Sequence, residues 1–324
     1  MDRRLSWRAE NDQGHAILNQ LERACLLERV LGRDGYVKLH DLIRDMALRI
    51  TKDNRRYMVK AGLHLREIPD VQEWAEDLDK LSLMNNSIEE ISSGMSPKFP
   101  QLSTLILSGN PLKSIPDCFF TQMCGLRTLD LSLTSIQYLP NSISDLENLR
   151  TLLLRNCRCL VSIATLENLR LLRRLDLSYT GVKEVPHGVE SLTNLKVLAL
   201  NCKSLSMIPT GVLHGLSLLQ KLILPYHIGV PIEEVLALKQ LEVFHGSVNG
   251  VCDLNRLIRC LQSLGRLSFY TIVLNPKISR KNYGVLPLKR GKFVLFDQDC
   301  LMESSIGEGK ILLPLDIDKL INLF

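Results

Sequence analysis

His40 and Asp41 stand side by side in VKLHDLIRDMAL, residues 37–48, and are the first residues whose types could do chemistry. An imidazole beside a carboxylate can hold a proton or touch an anion, but only where neighbours complete a site. The completing motifs are missing. HExxH, GxSxG and any Cys-His-Asp constellation of recognisable spacing are absent, and His15, His40, His64, His187, His214, His227 and His245 are dispersed. A phosphate cradle needs a glycine loop and a lysine followed by Ser or Thr. Gly291-Lys292 and Gly309-Lys310 have neither the preceding glycine nor the following hydroxyl, and no acidic, hydrophobic-flanked strand of the metal-binding kind occurs. The nine cysteines are odd in number and scattered, and Cys157-x-Cys159 has no partner pair, so no zinc site is expected. These residues predict a non-catalytic chain that holds no metal, and no cofactor by itself.

The elements that carry the pair are short. In QGHAILNQLERACLLERVL, residues 13–31, Ile17, Leu21, Ala24, Leu27 and Leu31 share one helical face. Gly32 and Gly35 break that helix, YVKL reads as a strand, and Asp41 can cap a second helix whose Leu42, Ile43, Met46, Ala47 and Ile50 face a core. Helix, strand and helix fit part of a winged helix over residues 1–56, too small for a stable domain. Residues 57–77 follow as a linker and N-terminal cap.

Beyond residue 78 the chain repeats itself. The pattern LxxLxL recurs as LDKLSL (78–83), LSTLIL (102–107), LRTLDL (126–131), LRTLLL (149–154), LRRLDL (172–177), LKVLAL (195–200) and LQKLIL (219–224), at intervals of 24, 24, 23, 23, 23 and 24 residues. LEVFHG (241–246) and LGRLSF (264–269) continue it more weakly. That period predicts an α/β leucine-rich-repeat solenoid over 78–275, a horseshoe with stacked parallel strands on its concave face. Three residues past the last leucine, Asn86, Asn110, Thr134, Cys157 and Thr180 stand where a side chain must satisfy the turning backbone. SIPDCF, YLPNSI, EVPHGV and MIPTGV place prolines on the convex side and favour extended or 3₁₀ connections. Residues 276–324 read as irregular and truncated repeats with no polar cap, ending on ILLPLDIDKLINLF.

Residues between the leucines are expected on the concave surface. Arg127, Arg150, Arg173 and Lys196 follow the first leucine in four successive turns, Arg174 sits one position later, and Lys221 extends the stripe. Stacked like charges repel, with Asp130 and Asp176 available to offset them. The stripe reads either as a solvated consensus face or as a docking site for an acidic protein surface. A nucleic-acid ligand is not expected, because aromatics are not interleaved for stacking and the net charge is only +5. MDRRLSWRAENDQGHAIL lacks the apolar core of a signal peptide, and no window reaches the ~18 apolar residues of a membrane span. Reduced thiols in a cytosolic compartment are the simplest reading of the cysteines.

VKLHDLIRDMAL resembles the Met-His-Asp segment that ends the nucleotide-binding region of plant intracellular immune receptors, the coiled-coil, nucleotide-binding, leucine-rich-repeat disease-resistance proteins. GHAILNQLERACLLE, YMVKAGLHLREIPDVQEWAEDLDKLSLMNNSIEEI and LRTLDLSLTSIQYLPNSISDLENLRTLLLRNC are similar to that family too, so the resemblance spans nearly the whole chain. It implies that His40 contacts the phosphates of ADP, that Asp41 supports the loop and caps the helix, and that Leu39 replaces the usual Met. It implies ADP or ATP only where an upstream nucleotide-binding region completes the site, so this chain is expected to be a truncated or non-signalling form. Implied partners are a pathogen effector, a guarded host protein, or the nucleotide-binding region itself, within the chain or in trans. The implied location is cytoplasmic, with a peripheral position at the plasma membrane as an alternative. The competing reading is a general cytosolic leucine-rich-repeat scaffold, in which residues 1–75 are a mere cap. A secreted receptor ectodomain is weakened by the missing signal and by the absence of cap cysteine pairs.

Overall fold

The computed structural model describes residues 6–30, 37–53, 56–70, 74–248, 253, 256–257, 269–274, 283–288 and 292–297. The Gly32 and Gly35 break, residues 264–268 of the last weak repeat and the terminal ILLPLDIDKLINLF lie outside the described residues.

The repeat builds one sheet. Strands β4 (Lys80–Ser82), β5 (Thr104–Ile106), β6 (Thr128–Asp130), β7 (Thr151–Leu153), β8 (Arg174–Asp176), β9 (Val197–Ala199), β10 (Lys221–Ile223), β11 (Val243–Val248) and β12 (Phe269–Leu274) stack in parallel and in chain order. Their middle residues are in register, Leu81 on Leu105, Leu105 on Leu129 and onward to Phe244. In each turn the three leucines point into the solenoid; Leu126, Leu129 and Leu131 are all 0% exposed. Burying one such side chain is worth about 1.5–3 kcal/mol, so a change to any rung is felt by its neighbours on both sides. On the convex side, 3₁₀ turns at Asn141–Asp145 and Val189–Ser191 follow Pro140 and Pro186, in keeping with the proline pattern.

The column at the turn is hydrogen-bonded as its side chains require. Buried Asn110 donates from Nδ2 to Leu83 O at 2.9 Å and Leu107 O at 2.8 Å, while its Oδ1 accepts from Ile88 N at 3.2 Å. Asn86 spans two turns the same way, donating to Lys60 O and Leu83 O and accepting from Leu63 N and Leu65 N. Where asparagine gives out, two short side chains share the task. Thr134 Oγ1 and Cys157 Sγ both donate to Leu131 O, and Thr180 Oγ1 and Cys202 Sγ both donate to Leu177 O. Equal spacing would put Lys203 at the last of these positions. The turn after β9 is one residue shorter, and Cys202 takes the place instead.

The sheet runs further than the leucine pattern. Strand β3 (Tyr57–Val59), in the stretch expected as linker, pairs in parallel with β4 and is the first rung. At the other end β13 (Tyr283–Leu288) and β14 (Lys292–Asp297) form an antiparallel hairpin, with β14 parallel to β12. The expected irregular repeats thus include an ordered two-stranded edge.

The front segment also departs from expectation. Helix α1 (Trp7–Arg23) starts and stops earlier than its apolar spacing suggested, because Ser6 caps it and Ala24 ends it. Leu27 then belongs to strand β1 (Leu27–Arg29), which pairs with β2 (Val37–Leu39) as a hairpin. Helix α2 (Asp41–Asp53) does not bury the face assigned to it: Leu42 is 73% and Ile50 63% exposed, and Met46 is exposed as well. So few residues cannot enclose their own core, and α2 packs along β3.

Candidate partner-binding surface

The sheet presents three rows of side chains. The first lies one residue before each strand: Arg56, Asp79, Ser103, Arg127, Arg150, Arg173, Lys196, Gln220 and Glu242. Each of these carbonyls up to Gln220 accepts two successive N–H groups from the next turn; Arg127 O, for example, accepts Arg150 N at 2.8 Å and Thr151 N at 3.0 Å. The backbone is therefore fixed, and the row has a fixed charge order. Four cations in succession, Arg127, Arg150, Arg173 and Lys196, lie between acidic ends at Asp79 and Glu242. Their side chains are exposed except that of Lys196, which is half-buried. At one end Arg56 and Arg127 line an open cavity of about 500 Å3. Asp79 lies in the same cavity, pairing with Arg56 at 3.4 Å and with the Ser103 hydroxyl.

The second row lies inside the strands, and it holds Arg174 and Lys221. The single stripe expected from spacing is thus divided, with Arg127, Arg150, Arg173 and Lys196 along the strand starts and Arg174 and Lys221 within the sheet. Burial, with Arg174 beside it, pushes the Lys221 ammonium below its usual pKa, against the pull of Asp176. Burial, and then Lys221, likewise lowers the His245 imidazole. The carboxylates expected to offset the cations have another task first: Asp130 accepts from Ser132 N and Asp176 from Ser178 N, closing the turns.

The third row lies just past the strands. Asn85, Gly109, Leu133, Asn156 and Tyr179 occupy equivalent places in successive turns, all with positive φ between 54° and 71°. A left-handed backbone costs a side-chain-bearing residue about 1–2 kcal/mol, less for Asn and nothing for Gly. Leu133 at 59° and Tyr179 at 62° are the bulky exceptions. Both are exposed, and the Arg155 guanidinium lies 5.3 Å over the Tyr179 ring.

One end of the basic surface is already occupied. The first turn of α1 sits there: Lys196 Nζ donates to Glu10 Oε1 at 2.9 Å, Lys221 Nζ lies 4.6 Å over the Trp7 ring, and Trp7 N donates to Glu242 Oε1 at 3.0 Å. Nothing local in the sequence signals this contact, which joins residues 186 positions apart.

His40 and Asp41 are placed elsewhere. Both are exposed at the start of α2, where Arg44 N donates to His40 O and the Asp41 carboxylate pairs with Arg44 at 3.3 Å. Asp41 is the first residue of the helix and not the residue before it. Its charge at the positive helix end is favourable in either place. Among the described residues no group of His, Cys, Asp and Glu could hold a metal, and no helix is long and apolar enough to cross a membrane.

A leucine-rich-repeat family model matches residues 100–158. Of the solved structures, a TDR receptor aligns at 24% identity and TM-score 0.51 over 64% of this chain and 37% of that one. The octameric latrophilin 3, Unc5D and FLRT2 complex, whose FLRT2 part is leucine-rich repeats, aligns at 21% and 0.53 over 67% and 66%. Those likenesses fix the fold alone. The curated relatives are more specific. Disease resistance protein RPS5 of Arabidopsis thaliana is 42% identical over 144 residues, and disease resistance protein SUMM2 of the same plant is 42% identical over 146. The fold is a leucine-rich-repeat solenoid, and over the matched region the chain is similar to plant disease-resistance proteins. The matched region is 43% of this chain in both alignments and 16% of the length of each relative.

Proposed function

We propose that this chain is the recognition and regulatory part of a cytoplasmic plant immune receptor. Its repeats bind a pathogen effector or an effector-modified host protein, and they also restrain a nucleotide switch. The role is binding, not catalysis. His40 belongs to the switch only where a nucleotide-binding region, in the same chain or in trans, supplies the phosphate cradle. The observation that carries this reading is the α1 seat. An acidic and an aromatic side chain from α1 lie on Lys196 and Lys221, while Arg127, Arg150 and Arg173 remain exposed beside them. Protein groups therefore fit the surface, and an internal contact and a foreign partner would meet on one row of charge.

Reversing that charge tests the proposal. Arg173→Glu with Lys196→Glu, expressed in plant tissue at wild-type level, is expected to change defence output. Output without a trigger supports internal restraint, and loss of the triggered response alone supports ligand binding. Unchanged output in both respects rejects the proposal.

A further inference from the structure

The backbone just past strands β4 to β8 is left-handed, and the sequence meets that demand in two ways. Asn85, Gly109 and Asn156 are residue types that tolerate it. Leu133 and Tyr179 are not, and neither side chain is repaid by burial, being 60% and 40% exposed. Among the described residues, Cys25 and His64 are the other side-chain-bearing residues with positive φ, and neither lies on this row. Strained, exposed, bulky residues retained on a rigid scaffold point to a contact made outside the chain. The two stand two turns apart, with Asn156 between them. Leu133 N donates to Arg155 O and Asn156 N to Ser178 O, so Leu133, Asn156 and Tyr179 lie on three consecutive turns. Arg155 lies over the Tyr179 ring, so a guanidinium able to pair with a carboxylate stands beside the aromatic side chain. Tyrosine and arginine are residue types on which interface affinity concentrates, and Leu133 adds exposed apolar surface beside them.

We propose that Leu133, Arg155 and Tyr179 form a protein-docking hot spot along the C-terminal ends of strands β6 to β8, fitted to a segment carrying a carboxylate beside an aromatic or long aliphatic side chain. The choice of an acidic partner follows from charge. Arg155 and Arg174 both act on Lys221, and Asp176, the carboxylate that acts on Lys221 against them, is buried and engaged by Ser178 N. This site rests on the reading of the repeats as a recognition surface, but it is separate from the row of Arg127, Arg150 and Arg173.

The test is a random dodecapeptide phage library panned on the whole protein and counter-selected on the Leu133→Gly, Tyr179→Gly variant. Glycine suits positive φ, so that variant is expected to melt cooperatively near the wild-type temperature. Selected peptides are expected to share Asp or Glu next to Phe, Tyr, Trp, Leu or Met. They should bind at least tenfold more weakly to the glycine variant and to Arg155→Ala. A large fall in melting temperature for the glycine variant overturns the proposal, because the two residues would then be kept for packing. Peptides that bind wild type and variant alike, or that are lost only with Arg173→Glu and Lys196→Glu, overturn this site while sparing recognition by the repeats. If no peptide is selected this site fails, and the charge reversal in plant tissue separately decides the broader reading.

Discussion

Reversing one charge should loosen α1 by a calculable amount. The Lys196–Glu10 pair is 2.9 Å long, with side chains 23% and 47% exposed, so solvent screening holds its worth to about 0.5 kcal/mol. The Lys221–Trp7 contact adds about 0.5–1 kcal/mol, and the Trp7 N–H on the Glu242 carboxylate about 1–1.5 kcal/mol. Together these favour the seated helix by about 2–3 kcal/mol, leaving it unseated roughly 1–3% of the time. Lys196→Glu removes the attraction and sets two carboxylates against each other, a loss of about 1–1.5 kcal/mol. The unseated fraction should rise about tenfold. Hydrogen exchange over residues 7–23 reads this directly, because a released helix of 17 residues is marginal in water and loses protection. Exchange in this helix is expected to speed up about tenfold, and Glu10→Lys added to Lys196→Glu should return it close to wild type. Exchange that changes less than twofold, or that the double swap leaves fast, would refute the seat.

Asn110→Ala strands Leu107 O and Ile88 N inside the solenoid, at about 1–3 kcal/mol for each group, while Leu83 O keeps its bond from Asn86. Urea unfolding should show a loss of at least about 2 kcal/mol. Burial pushes the thiols of Cys157 and Cys202 up, so iodoacetamide followed by mass spectrometry should label exposed Cys25, Cys124 and Cys159 in the folded protein, and those two only after denaturation. The lowered pKa of His245 means that the folded state favours neutral imidazole, whereas the unfolded chain takes up a proton near the ordinary value of about 6.5. Its contribution should therefore be present above that pH and fall away as pH drops from there to the lowered value. His245→Gln should flatten the decline, as thermal melts across pH 7.5 to 5 would show.

Features legible in the sequence are those with a local, periodic cause. Leucines at fixed spacing predict buried rungs because every turn meets the same neighbours, and Asn86 and Asn110 announce the turn because few other side chains can bond three or four backbone groups. Pro140 and Pro186 mark the convex 3₁₀ turns for the same kind of reason. Illegible features depend on what lies across the fold. YMV makes the first strand without a leucine of the repeat, because an open edge at β4 recruits any extended neighbour. The shortened turn hides Cys202 behind Lys203. Apolar spacing placed α1 and α2 on a core that so short a segment does not build, and left Trp7 and Glu10 unread. The basic residues were visible as a group, but their division into two rows depends on where each strand starts. Leu133 and Tyr179 look like ordinary variable positions until the backbone angle is seen.

The most direct test of the account joins the seat to the biology. Lys196→Glu, Glu10→Lys and the two together would be expressed at matched levels in plant tissue, with defence output measured without a trigger. Internal restraint predicts elevated output for each single variant and a return to the quiet wild-type level for the double swap. Elevated output that persists in the double swap, or single variants as quiet as wild type, would contradict it.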